Sequence, residues 1–200
     1  LSDVSQFIQV QRGLGASALG ISSVGGTMNM VTKSTEAQKG GSAYFGIGND
    51  GFRKYSVSFS TGLMDNGWAI TFMGALNTGD GYVKGTNYEG WTYFGNISKV
   101  INDHHKLSLT AFGAPQWHNQ RSTMHYIEDY KNSPDGGRFN NGYGYINGEA
   151  VGSGYGYNYY HKPQVSLNHY WTIDDKSTLT TSLYGSMATG GGRRARGAMS

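Results

Sequence analysis

The chain has 200 residues, a formal charge of +3, 32 glycines, three prolines and no cysteine. The lack of cysteine excludes a disulfide scaffold or thiolate chemistry. Apart from Arg193, Arg194 and Arg196 the basic residues are too scattered to form a nucleic-acid-binding face. Aromatics at 14% exclude ordinary disorder. Mean hydropathy is −0.49 and no run reaches eighteen apolar residues, which excludes a transmembrane helix but not a barrel whose strands alternate lipid-facing and lumen-facing residues.

Taken in order, Phe7-Ile8-Gln9-Val10 reads as a short strand, residues 13 to 26 as compact turns, and Thr27 to Thr32 as a second strand. Gly13-Leu14-Gly15-Ala16-Ser17-Ala18, with Glu36 downstream, fits a loose dinucleotide-binding fingerprint. That unit needs an amphipathic helix after the glycines, and Gly20, Gly25 and Gly26 interrupt the segment where it would lie. The same stretch resembles the C-terminal part of the plug domain of TonB-dependent outer-membrane transporters, with pattern V-x-R-G-P-x-S-x-x-Y-G, then x-G-G-x-I-N-I-x-T-K. Val10, Arg12, Gly13, Gly20, Gly25, Gly26, Asn29, Thr32 and Lys33 fall on matching positions. Leu14, Ala16 and Leu19 depart from the proline, serine and tyrosine of the pattern, and Gln9 stands where an acidic residue is common. The resemblance implies a plug inside a barrel, substrate import, and energy supplied by an inner-membrane TonB complex.

From Gly40 onward about seven period-two segments follow, each near the ten residues that a tilted strand needs to cross a bilayer. In the clearest, Tyr55, Val57 and Phe59 alternate with Ser56, Ser58 and Ser60, which predicts that the first row meets lipid and the second the plug or lumen. Trp68, Ile70, Phe72 and Leu76 form a comparable row, as do Val165, Leu167, Trp171 and Ile173. The turns at 65–67, 102–105 and 174–176 are tight and alternate with connections at 49–51, 80–90 and 118–161, which assigns the tight turns to the periplasm. The spacing predicts an antiparallel meander with no helical crossover. Seven strands cannot close around a plug, for which about 22 are expected, so the chain reads as a fragment: residues 1–36 the end of a plug, 37–200 the first part of a wall.

The long 118–161 connection concentrates tyrosine, asparagine and glycine, which stack on and hydrogen-bond to ligands at low entropy cost. Trp117, His118, Arg121, Tyr143, Tyr145 and Tyr157 are the candidate substrate-binding residues, and backbone order is expected to be lowest at Gly136-Gly137 and from 142 to 156. The six histidines carry no metal-ligand spacing and read as ordinary polar surface residues. No serine, histidine and acid assemble as a triad, and adjacent Glu128 and Asp129 point apart on a strand, so neither catalysis nor a cofactor is expected. The expectation is thus an all-β, antiparallel transmembrane barrel segment preceded by the end of a plug. It would lie in the outer membrane among its lipids and take up a small-molecule or oligosaccharide substrate. The competing reading is a non-transporting surface adhesin or carbohydrate-binding β protein.

Overall fold

The computed structural model describes residues 5–12, 26–32, 38–121, 124–142, 145–146, 149–150 and 156–193. Strands β1 (Ser5–Arg12) and β2 (Gly26–Thr32) pair antiparallel, with Arg12 opposite Gly26, Gln9 opposite Asn29 and Ser5 opposite Thr32. Both expected strands are present, and their direction removes the dinucleotide-binding alternative, because that unit joins parallel strands through a crossover helix. Gly13, Gly20, Gly25 and the expected boundary between residues 36 and 37 lie outside the described residues.

The main sheet runs β3 (Gly40–Ile47), β4 (Arg53–Leu63), β5 (Trp68–Gly79), β6 (Tyr88–Asn102), β7 (His105–Gly113), β12 (Gln164–Asp174) and β13 (Ser177–Ser186), each antiparallel to the next. The sheet is open, ending at β3 and β13. Three short strands prolong it at one end. β8 (Gln116–His118) continues β7, β11 (Asn158–His161) leads into β12, and β14 (Thr189–Gly192) continues β13. Pro115 and Pro163 lack the N–H that a ladder needs, yet neither shifts the register. Tyr93 opposite Gly113 and Gly90 opposite Gln116 belong to one unbroken pairing frame, and the Pro115 carbonyl still accepts the Trp91 N–H at 2.8 Å.

Alternation gives the wall two faces. On β4, Tyr55, Val57 and Phe59 are exposed, while Ser56 and Ser58 are half-buried and Ser60 is buried. On β5, Trp68, Ile70 and Phe72 are exposed and Ala69, Thr71 and Met73 buried. The pairing frame lines up Ile70, Ile97, Leu109, Leu167 and Leu183 as one exposed aliphatic rung across five strands. We call this the outer face and the sheltered side the inner face.

The lower end of the sheet carries the tight turns. Gly67, with φ of 77°, closes the Met64–Gly67 turn through its N–H to the Met64 carbonyl at 2.8 Å. At the upper end the hairpin Asn49–Phe52 has Asp50 and Gly51 at φ of 55° and 71°, the two positive values that a type I′ turn demands. The other upper connections are longer, at 80–87 and 119–157. The expected 118–161 loop is therefore shorter than the sequence suggests, because β8 and β11 extend the wall past each proline. It also carries structure of its own: helix α1 (Ile127–Asn132) and a 3-10 turn at Gly136–Arg138. Glu128 and Asp129 accordingly lie in the first turn of a helix and not on a strand, and Asp129 accepts the backbone N–H of Tyr126 at 3.0 Å.

Four tyrosines stand directly opposite glycines on neighbouring strands: Tyr88 with Gly79, Tyr93 with Gly113, Tyr159 with Gly191 and Tyr160 with Gly190. The rings occupy the space that a glycine side chain would take. A Cβ at Gly113 would collide with the Tyr93 hydroxyl, and one at Gly79 would lie 2.6 Å from that of Tyr88. This arrangement covers glycine backbone with an aromatic face in place of the missing side chain.

Candidate functional site

The inner face changes character from bottom to top. In its lower half Asn96 donates through Nδ2 to Ser108 Oγ and Thr110 Oγ1, both at 2.8 Å, and its Oδ1 accepts from Ser98 Oγ at 2.7 Å. Asn96, Ser98, Ser108 and Thr110 are all buried, and their mutual bonds remove most of the cost of burying polar groups. Above them Met73, Ala75 and Phe94 form a small apolar cluster with Phe112 packed against it. At the top Gly90 and Ala114 leave a gap in the inward rows. A hollow of about 780 Å³ opens there, ringed by Tyr88, Gln116, His118, Tyr160, Lys162 and Gln164. Gln116 stands opposite both Gly90 and Tyr160, and His118 opposite Tyr88, so the pairing frame itself sets this ring.

The upper loops interlock beside the hollow. Arg138 pairs with Asp50 at 2.7 Å, lies over the Tyr82 ring at 4.7 Å and donates to the Tyr82 carbonyl at 3.3 Å. Its own carbonyl accepts the Lys84 N–H at 3.0 Å, while Asn140 Nδ2 donates to the Lys84 carbonyl at 2.7 Å. One arginine thus joins the 48–52, 80–87 and 119–157 connections. The Gly136-Gly137 pair, expected to be among the least ordered, is held in the 3-10 turn by these contacts, and Tyr82 packs against Gly137.

The candidate substrate-binding residues do not form one cluster. His118 is on the inner face and lines the hollow. Trp117 and Tyr157 stack on each other at 6.1 Å on the outer face, where Arg193 covers Tyr157 at 5.2 Å and Tyr159 follows at 6.0 Å. Arg121 donates to the Phe139 carbonyl at 2.8 Å and lies 5.1 Å from the Tyr130 ring, inside the folded loop. Tyr143 lies outside the described residues, and Tyr145 is placed only by strand pairing, in β9 (Tyr145–Ile146) opposite Ala150 of β10 (Glu149–Ala150). Of the plug-motif residues, Arg12, Gly26, Asn29 and Thr32 sit on the paired strands β1 and β2. The sequence reading missed Tyr88, Gln116, Tyr160, Lys162 and Gln164. Counting by twos upward from the inward Phe112, through Ala114 and Gln116 to His118, finds the register that carries them.

The histidines are more engaged than ordinary surface residues. His105 Nδ1 and His169 Nε2 are 3.1 Å apart, with Trp171 stacked on His105 at 5.5 Å. The Tyr93 hydroxyl meets His161 Nε2 at 2.9 Å, and His125 packs edge-on against Phe139 and Tyr130. At the lower rim of the outer face Lys99 lies over Trp68 at 5.1 Å, and at the upper rim Trp91 Nε1 donates to Glu89 Oε1 at 2.9 Å.

No protein-family model matches the sequence, and no curated protein does. Among solved structures the chain is similar to the ferric-catecholate import receptor Fiu from E. coli K12 in its open form. The two share 16% identity at a TM-score of 0.73, over 94% of this chain and 29% of that receptor. At this identity the likeness is one of fold, and the chain spans less than a third of the receptor's length. The fold is that of an antiparallel β-barrel wall, present here as an open sheet.

Proposed function

We propose that the chain is part of a TonB-dependent outer-membrane receptor and transporter, with residues 1–36 the end of its plug and 37–200 the first part of its wall. Energy-coupled uptake of a scarce nutrient, such as a ferric siderophore, cobalamin or an oligosaccharide, is the activity. The observation that carries this reading is the two-faced sheet. An exposed aliphatic rung crosses five strands on one face, while the other is lined by a satisfied hydroxyl and amide network. A wall between hydrocarbon and a polar lumen makes both faces favourable. The matching plug-motif positions on β1 and β2 support it, as does the fold likeness to a receptor that imports ferric catecholates. Its partners are then the inner-membrane TonB complex, outer-membrane lipid and the substrate. Trp117, His118, Arg121, Tyr143, Tyr145 and Tyr157, with the connection that carries them, help capture substrate from outside.

The test uses the full-length protein. It should fractionate with the outer membrane and support uptake of one member of a panel of labelled siderophores, cobalamin and oligosaccharides, and that uptake should stop when the proton gradient collapses. Removal of residues 137–156 should weaken binding of that substrate while leaving assembly intact. Recovery in a soluble fraction, or uptake indifferent to the gradient, would overturn the reading.

A further inference from the structure

The lower rim of the outer face carries two histidines, one on β7 and one on β12. The pairing frame sets His105 opposite Trp171 and His169 opposite Leu107, so the two imidazoles are diagonal neighbours. They continue the rows of the exposed Leu109 and Leu167, and both are half-buried. Their rings meet edge to edge, with His105 Nδ1 and His169 Nε2 3.1 Å apart and the ring planes 14° from parallel. One proton satisfies that contact, since one nitrogen donates and the other accepts. His105 Nε2 and His169 Nδ1 make no hydrogen bond among the described residues. The same two facing nitrogens are also the commonest metal-binding atoms in proteins.

We propose that His105 and His169 form a two-histidine site for a divalent transition-metal ion of the zinc, nickel and copper class, which clips β7 to β12. With metal–nitrogen bonds of about 2.0–2.1 Å, two imidazoles roughly 90–110° apart around an ion have nitrogens roughly 2.8–3.4 Å from each other. The observed 3.1 Å falls within that span. A small rotation of either ring turns the two lone pairs from facing one another to converging on a point beside them. Imidazole favours these ions over magnesium and calcium, which take oxygen ligands. Among the described residues no group of three or more metal-ligating side chains gathers, so the remaining positions on the ion belong to water. His104, next in sequence, is engaged instead with the Thr172 carbonyl at 2.8 Å. Trp171 stacks on His105 at 5.5 Å and holds that ring in place. Lys99 is the cation on the His169 rung, but it stands two strands away and is drawn to the Trp68 ring and the Asn66 carbonyl. β7 and β12 are separated by the longest connection in the sheet, so a clip between them acts where chain closure costs most.

Calorimetry on the full-length protein in lipid nanodiscs, with Zn²⁺ and Mg²⁺ as probes, tests it in mildly alkaline buffer, since metal and proton compete for imidazole. Zn²⁺ should bind and Mg²⁺ should not compete. His105→Gln and His169→Gln should each weaken the Zn²⁺ site about tenfold or more, because strand pairing no longer holds a second imidazole at high effective concentration beside the first. His104→Gln should leave it unchanged. As a second readout, Zn²⁺ should raise the unfolding midpoint of the native protein, as any ligand of the folded state does, and should raise that of neither single variant at the 105 and 169 positions. If one of these variants does not assemble, the other still decides the matter, because each removes one of the two ligands. Absence of Zn²⁺ binding to the native protein, or Zn²⁺ binding indifferent to both substitutions, would overturn the proposal and leave the pair as a hydrogen bond. The site does not depend on the transport reading, so failure of uptake would leave it standing and failure of Zn²⁺ binding would leave transport standing.

Discussion

Replacing Phe72 by arginine places a charge where the wall is expected to be deepest in hydrocarbon. On β5, Trp68 marks the lower rim and Leu76, opposite Trp91, the upper rim, so Phe72 is equidistant from both. Four residues on either side amount to about 14 Å of strand at ~3.4 Å per residue. With a tilt of about 40° the side chain is roughly 10 Å below either rim. The ring is 50% exposed on the outer face, beside the opposed and 54% exposed Phe59, so an arginine there has no protein pocket to enter. Arginine near a bilayer midplane costs about 2–4 kcal/mol, or roughly 30- to 700-fold in the assembly equilibrium at ~1.4 kcal/mol per decade. Ser56→Arg, on the half-buried inner face between Tyr44 and Ala75, should cost no more than about 1 kcal/mol because its head group reaches the polar lumen. Denaturant titration of the full-length protein in phospholipid vesicles, followed by tryptophan fluorescence, measures both. Equal losses for the two variants, or a larger loss for Ser56→Arg, would refute the assignment of the outer face to lipid.

Arg138→Ala should uncouple the upper loops. Amide exchange within 80–87 and 124–140 should accelerate about tenfold, the combined worth of one partly exposed ion pair and one cation–π contact, with exchange in β5 and β6 unchanged. Asn96→Val removes the hub that bonds Ser98, Ser108 and Thr110 and should destabilise the assembled wall by about 1–3 kcal/mol, read as a lower unfolding midpoint. Gly51→Ala forces a side chain onto a φ of 71° and against the Asp80 carboxylate. It should cost about 1 kcal/mol or more, and a midpoint equal to that of the native protein would contradict the turn assignment.

The wall was legible in the sequence because its signals are local. The Tyr55-to-Ser60 alternation needs only strand geometry to become two faces, and Asn49-Asp50-Gly51 and Asp65-Asn66-Gly67 carry the residues that tight turns require. The candidate site was less legible because its signals are not local. Tyrosines 157 and 159 looked like ligand contacts from composition, but their facing is inherited from β12 through Lys162-Pro163, and that frame puts them on the outer face with Trp117. Lys162, on the inner face, carried no compositional mark, and Tyr160 stood in the same tyrosine-rich run as Tyr157 and Tyr159 with nothing in composition to set it on the opposite face. The folded part of the 119–157 connection was hidden for a different reason. Its order comes from Asp50, Tyr82 and Lys84, which lie more than fifty residues upstream of Arg138 and Asn140.

The tyrosine–glycine rungs also constrain how this wall can change over generations. At Gly113 any substitution must wait until the ring of Tyr93 has gone, since the two would occupy the same space. Losing Tyr93 first uncovers glycine backbone and breaks the contact with His161, a defect that a later side chain at 113 could repair. Of the two mutational orders one passes through a collision and the other only through a gap. Positions 93 and 113 should therefore evolve as a linked pair in which the tyrosine moves first, and positions 88 with 79 should do the same.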